Sequence, residues 1–414
     1  MSVSSFTLAL NESRVKVLPP LLVATALGLL LGLQPVTTDL YLPALPLLSR
    51  DLAASPGATQ QTMSALILAF GLMQLVWGPV ADRAGRRPVL LISLALLAAA
   101  GAGAALTSDI AHLIAWRAAQ GAALAAAVVC ARAMVRDLYE PHEGARVMAL
   151  GLSGLGVVAV AAPLCGGLLV TTLGWRATMW AVGGCAALAW VFVWRALPET
   201  SRTHDPQALQ VRTLAHNAGA VLVNPTFRAW ALLVAATYGG LFILLSASSF
   251  AYINVLGLTP AQYGMAMAAG SASYIAGTLF CRRWLARIGL GGAVRRGAYF
   301  TLAGALGMLA CAFVEHPTWP MLLAAQCSYA FGHGQHQPCG QTGAVGPFPH
   351  SAGLASALAG CVLALVAFAI GVTLGAVMDN TLRPMVLGIA ACGTVTALLA
   401  WTLVQRHGSA ALAR

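Results

Sequence analysis

The chain has 414 residues, of which 59% are apolar and 8% charged, with a formal net charge of +11. Soluble domains carry roughly 25% charged residues, so this composition excludes an ordinary water-facing surface and requires lipid around most of the chain. The cationic excess faces anionic lipid, and it argues against nucleic acid because no basic stripe alternates with aromatic residues.

About twenty apolar residues cross a bilayer core of ~30 Å. Runs of that kind predict twelve helices, over residues 18–41, 61–81, 88–106, 110–135, 146–172, 175–197, 227–252, 261–285, 293–314, 319–343, 351–378 and 384–405. The stretch from Met1 to Lys16 is too polar for a cleavable signal peptide, and the first apolar run is itself a full span.

The first span holds the most informative carboxylate. Of the twelve acidic residues, Asp39 alone falls inside a predicted span, and intramembrane acids are costly and usually functional. It lies roughly 30 Å beyond Leu18 along a helix, in the outer half. Pro35 frees a carbonyl nearby, and Gln34 and Thr38 share a face four residues apart. This polar notch, with Tyr41 beyond it, is expected to bind protons or substrate. The competing reading is an acid at the outer end that only meets water.

The second and third spans are joined by Gly78 to Pro88, which contains Asp82, Arg83, Gly85, Arg86 and Arg87. Asp82 is expected at the inner end, near the positive N-terminus of the helix starting near Ser351. These residues are predicted to latch the two halves in an outward-open state; simple charge anchoring of the loop is the alternative. In the fourth span, Arg117 lies about 10 Å below Ala111 and needs an anion or carbonyl acceptors. Asp39 is its expected partner, so a movement separating the pair would switch a proton on and off; a static ion pair that only orients the fourth helix is the alternative, and Gln120, one turn on, is a further substrate-cavity candidate. Pro163, Gly166 and Gly167 in the fifth span allow close helix packing.

The longest polar interruption, Pro198 to Asn224, divides the chain into residues 1–197, a linker at 198–225, and residues 226–414. Gly277-x-x-x-Cys281-Arg282-Arg283 echoes Gly78-x-x-x-Asp82-Arg83, as expected of an internal repeat in a transporter. The single lysine, Lys16, rules out a P-loop, so no cofactor is expected and any pumping must draw on an ion gradient or a partner chain. Tyr238, Ser246, Ser249, Tyr252 and Asn254 in the seventh span are cavity candidates, as are Gln326, Tyr329, His333, Gln335, His336 and Gln337 in the tenth. His333 and His336 share a helical face, but no carboxylate or cysteine stands at a metal-like spacing, so neither a metal nor an enzyme is expected. The nine cysteines are scattered singly and read as small core residues.

With the N-terminus inside, nineteen basic residues gather on the inner side and only Arg50, Arg176 and Arg383 on the outer; Arg117 lies within a span. That asymmetry places both termini in the cytoplasm.

The pattern Gly78-x-x-x-Asp82-Arg83-x-Gly85-Arg86-Arg87 resembles the loop between helices 2 and 3 of the major facilitator superfamily. Thr38-Asp39-Leu-Tyr41-Leu-Pro43, Arg117-x-x-Gln120-Gly121, Ala131-Arg132-Ala-Met-Val-Arg136-Asp137-Leu-Tyr139, Gly174-Trp175-Arg176 and Leu197-Pro198-Glu199-Thr200 resemble its Bcr/CflA drug:proton antiporters. Ala162-Pro163-Leu-Cys165-Gly166-Gly167 departs from the Gly-Pro-x-x-Gly-Gly signature of related antiporters by an alanine in first place. The resemblance implies an all-α membrane protein of two pseudo-symmetric six-helix bundles, with helices 1 and 4 lining the cavity. It implies proton-coupled export of bicyclomycin-, chloramphenicol- or sulfonamide-like drugs across the bacterial inner membrane, by a monomer. Export of an endogenous metabolite, or proton-driven uptake, is the alternative.

Overall fold

The computed structural model describes residues 18–201, 210–379 and 381–408. Lys16, Arg202 and Arg414, counted above among the inner basic residues, and both termini lie outside them. Among the described residues the regular structure is helical, with no strand: α1 Pro20–Thr38, α2 Leu45–Asp51, α3 Pro56–Ala84, α4 Arg86–Leu106, α5 Ile110–Leu138, α6 Pro141–Leu173, α7 Trp175–Ala196, α8 Val211–Val223, α9 Pro225–Ser249, α10 Pro260–Cys311, α11 Trp319–Val345, α12 Ala352–Val377, α13 Arg383–Trp401 and α14 Leu403–His407.

Ten stretches are long and apolar enough to cross a membrane. Two more crossings emerge from geometry. Helix α10 turns back at Gly289, whose φ of 67° and ψ of −177° are non-helical and cost a residue without a Cβ little. Gly334 of α11 packs against Tyr274, and Gly332 against Thr301, so both arms of α10 lie along the same helix. Helix α11 is the other: its 27 residues span about 40 Å, but its glutamines and histidines lower its hydropathy. The expected twelve crossings are therefore present.

Local chemistry explains where the ends differ from expectation. Helix α3 begins five residues earlier because Ser55 accepts the Ala58 N–H at 3.1 Å and Pro56 opens the first turn. Helix α1 ends at Thr38, giving way to a 3₁₀ turn at Leu42–Ala44 and then α2, each opened by a proline. The linker carries a short helix, α8, that its polarity concealed. Helix α9 runs into a π-helical turn at Phe250–Val255.

In the first half α1 packs on α6, α3 on α5, and α4 on α5 and α7; in the second, α9 packs on α11 and α13, and α10 on α11 and α13. The halves meet through α3 with α12 and α6 with α10. At one end, which we call the sealed end, a single apolar core contains Tyr41, Leu45, Met63 and Leu66 together with Phe242, Leu245, Tyr252 and Tyr263. At the other end the core splits. One cluster draws only on residues 18–197, and the second only on residues from 218 onward plus Leu75. The two halves thus share one apolar core at the sealed end and keep separate apolar cores at the other, which we call the parted end, although Arg136 still reaches Gly353 there.

Candidate functional site: the seam between the halves

Pro35 ends the regular hydrogen bonding of α1, and its carbonyl accepts the N–H groups of both Asp39 and Leu40, at 2.8 and 3.2 Å. The Asp39 carboxylate is half-buried. The Thr38 hydroxyl lies 2.7 Å from its Oδ1 and 2.9 Å from the Gln34 carbonyl, so one proton serves two acceptors. From the second half, Tyr238 and Tyr263 are near enough for the carboxylate to act on both electrostatically. Asp39 therefore sits on the seam, at the foot of the sealed core.

Arg117 is fully buried, yet it is not the ion-pair partner of Asp39; no ion pair to Asp39 occurs among the described residues. Its Nη1 donates to the Thr37 carbonyl at 2.9 Å and to Gln120 Oε1 at 2.7 Å, and its Nη2 to Met63 Sδ at 3.2 Å. The guanidinium lies 4.3 Å from the centre of the Tyr41 ring, a contact that favours a planar cation. Arg117 is thus committed to the first half through a backbone carbonyl and Gln120, while Asp39 has Tyr238 and Tyr263 of the second half near it. Gln120, which donates to the Ala100 carbonyl at 3.3 Å, belongs to that interior, whereas Tyr41, whose hydroxyl is bonded to Thr62 at 3.0 Å, also packs in the core shared by the two halves.

In the second half, His333 Nδ1 is 3.0 Å from the Thr237 hydroxyl, and Tyr329 donates to the Thr237 carbonyl at 2.9 Å. Tyr238 and Tyr274 flank the His333 ring at 6.4 and 5.5 Å. Half-buried Tyr274 was not anticipated; a tyrosine in the middle of the eighth span was the available signal. His336 turns instead to Thr301, at 3.0 Å, so the two imidazoles serve different helices. No group of three metal-ligating side chains converges among the described residues. Tyr252 is buried and donates to Gln326 at 3.0 Å, whereas Asn254 is exposed at the sealed end, 3.4 Å from Arg50 across the seam. Gln60 likewise reaches the Ser246 carbonyl at 3.5 Å. Of the small residues in α6, Gly166 packs on the Leu40 carbonyl; Pro163 and Gly167 meet Gly264 and Pro260 of the other half.

The charged loop ties elements of the first half to one another. Arg86 bridges Asp82 at 2.6 Å and Asp137 of α5 at 3.1 Å. Gly85, at φ 94°, gives the sharp turn between α3 and α4. Helix α4 has no capping side chain of its own. Glu199, beyond α7, supplies it: its two carboxylate oxygens accept the Arg86 and Arg87 N–H groups at 2.9 and 3.0 Å. Burial alone would raise this carboxyl, but the N–H groups of Ser201, Arg86, Arg87 and Thr200 hold it below the ordinary glutamate value. Arg87 returns the contact by donating to the Leu197 and Trp194 carbonyls, each at 2.8 Å. Arg83 is exposed, and Gly78 has no close neighbour where a Cβ would stand. Toward α12, Arg136 stands beside Gly353. Nothing in the sequence alone marked Glu199 as a cap, because its partners are more than a hundred residues away.

Residues 27–372 match the Major Facilitator Superfamily model. The bicyclomycin resistance protein homolog of Haemophilus influenzae is 25% identical over 92% of this chain and 96% of its own. Multidrug resistance protein D of Escherichia coli is 31% identical over 81% and 83%. The solved inward-open xylose transporter XylE of Escherichia coli superposes with a TM-score of 0.72 over 92% of this chain and 95% of its own, at 17% identity, a likeness of fold. Motifs, twelve crossings and relatives agree: the chain belongs to the Major Facilitator Superfamily, among its Bcr/CflA members.

Proposed function

We propose that this multi-pass membrane protein is a proton-coupled exporter of small amphipathic antimicrobials across the bacterial inner membrane, working by alternating access. One observation carries the reading: Asp39, a carboxylate without an ion-pair partner among the described residues, stands half-exposed on the seam between two halves that share an apolar core at one end and keep separate cores at the other. A group so placed exchanges its proton with whichever side the seam opens to. The relatives named for bicyclomycin and chloramphenicol resistance support a drug as cargo. Tyr238, Tyr274 and His333 supply rings and polar edges suited to holding such a molecule without demanding a fixed charge.

Orientation follows from charge. The parted end carries the arginine-rich turns at 83–87 and 282–296, and the sealed end carries Arg50, Arg176 and Arg383. Positive loops stay inside, so the parted end faces the cytoplasm and the conformation is inward-facing. In this reading Arg117 is a fixed brace: it holds the Thr37 carbonyl and therefore the stub on which Asp39 is mounted. No cofactor takes part. One proton moving through ~100 mV releases about 2.3 kcal/mol, which at ~1.4 kcal/mol per decade sustains a concentration ratio of roughly fifty.

The test is drug-driven proton movement in inside-out vesicles. With the wild type, adding a transported drug should release protons from the vesicle lumen as drug accumulates there. Asp39→Asn should abolish both while the protein still folds and binds drug. Undiminished efflux by Asp39→Asn would sink the reading, and proton flux in the same direction as the drug would convert the protein into a symporter.

A further inference from the structure

Two cysteines that look unrelated in sequence meet in the second half. Cys281 on the first arm of α10 and Cys339 on α11 place their sulfurs 3.3 Å apart, both buried and both free. Among the described residues no other two thiols are in hydrogen-bond contact. The helices that carry them run side by side in the same direction, in fixed register. Ser273 donates to the Cys327 carbonyl at 2.7 Å, Thr278 donates to the Gly334 carbonyl at 3.1 Å, and the thiol pair is the next step of that ladder. Gly277 packs its backbone directly on the Phe331 carbonyl, leaving little room for the helices to slide.

The position has a counterpart in the first half. Cys281 stands where Gly277-x-x-x-Cys281 repeats Gly78-x-x-x-Asp82. There Asp82 is joined through Arg86 to Asp137, which ties the second crossing of that half to its fourth. The second half has no such ion pair among its described residues; its second and fourth crossings meet through sulfur.

We propose that Cys281 and Cys339 are a reversible disulfide-forming site, closed by a peroxide reaching it from the parted end. Cys281 lies eight residues, about 12 Å along the helix, from the turn at Gly289. The chemistry balances. One thiol loses its proton and attacks the peroxide oxygen, giving a sulfenic acid and hydroxide. The other thiol then displaces the sulfenic oxygen, forming the S–S bond. Overall two thiol hydrogens and two electrons pass to one hydrogen peroxide, yielding two waters. The sulfurs need to close by roughly 1.2 Å to reach bonding distance of about 2.05 Å, a movement within side-chain rotation. Because both cysteines belong to one half, the bond braces that half without crossing the seam, so transport survives while the half resists unfolding.

Full-length protein treated with hydrogen peroxide, then denatured and labelled with N-ethylmaleimide, should show two fewer reactive thiols among its nine cysteines. A non-reducing digest should contain the linked Cys281 and Cys339 peptides, and dithiothreitol should restore all labelling. Cys281→Ser and, separately, Cys339→Ala should each prevent the paired loss, whereas Cys327→Ser should not. Gel filtration of each reduced variant checks its folding. The oxidised wild type should melt a few degrees higher and keep its transport rate within about twofold. Full labelling after peroxide, or a lost pair mapping elsewhere, overturns the site; an unshifted melt or a tenfold loss of transport overturns the bracing role.

Discussion

Replacing Glu199 by alanine tests whether a residue outside the spans holds the third crossing in place. In the structure its two carboxylate oxygens accept the first two N–H groups of α4, at 2.9 and 3.0 Å. Losing a capping acceptor costs about 0.5–2 kcal/mol, and losing a negative charge from a helix N-terminus about 0.3–1 kcal/mol. Glu199 is solvent-exposed, so screening places the sum near the low end, at roughly 1–2 kcal/mol. Amide hydrogen exchange reads this locally. Protection of the Arg86 and Arg87 amides should fall roughly 5- to 30-fold, while amides in the middle of α4 stay unchanged. The effect has a definite pH sense. This carboxyl is held below its ordinary value of about 4.5, so its contribution is complete above that value and is lost as pH falls through the lowered folded value. After correction for intrinsic exchange, wild type and Glu199→Ala should differ at pH 7 and converge in acid. Equal protection at pH 7 would show that the carboxylate does not cap α4.

The remaining outcomes probe the brace and the seal. Arg117→Lys keeps the charge but loses the fork and the face-on contact with Tyr41; at ~1.5–3 kcal/mol for a charged hydrogen bond it should lower the melting temperature by several degrees and cut transport at least tenfold, and a variant indistinguishable from wild type in both would remove the bracing role. Gly57→Val places its Cβ about 2.5 Å from the Gly375 carbonyl across the seam. That overpacking costs ~1–3 kcal/mol in the sealed conformation alone, so a cysteine at Ser246, buried here, should react with a maleimide roughly 5- to 150-fold faster in the Gly57→Val background. An unaltered labelling rate would mean that α3 and α12 do not part during transport.

Much of this molecule was legible in its residue order because lipid imposes a simple rule: a helix must cross about 30 Å of hydrocarbon with its backbone bonds closed internally. Twelve spans, the central linker and the unusual Asp39 all follow. The tenth crossing shows that the rule tolerates exceptions. Helix α11 carries Gln326, His333, Gln335 and His336, yet stays embedded because neighbouring helices rather than lipid surround those groups. Arg117 shows a limit of a different kind. An acid and a base in the outer halves of two spans invite pairing, but helix rise gives depth and says nothing about azimuth. The acceptor that Arg117 found, the Thr37 carbonyl, is a backbone atom with no signature in the side-chain sequence.

What the order of residues determined alone was the environment: length and hydropathy of each run, the side on which arginines collect, and the turns where Gly85 and Gly289 permit φ values that other residues resist. What only tertiary structure decided was company. Glu199 caps a helix 113 residues upstream, two cysteines 58 residues apart meet sulfur to sulfur, and the halves seal at one end and not the other. The physical reason is range. Hydrophobic periodicity and backbone strain act within a few residues, whereas hydrogen bonds and packing between helices depend on how whole cylinders rotate and tilt against one another.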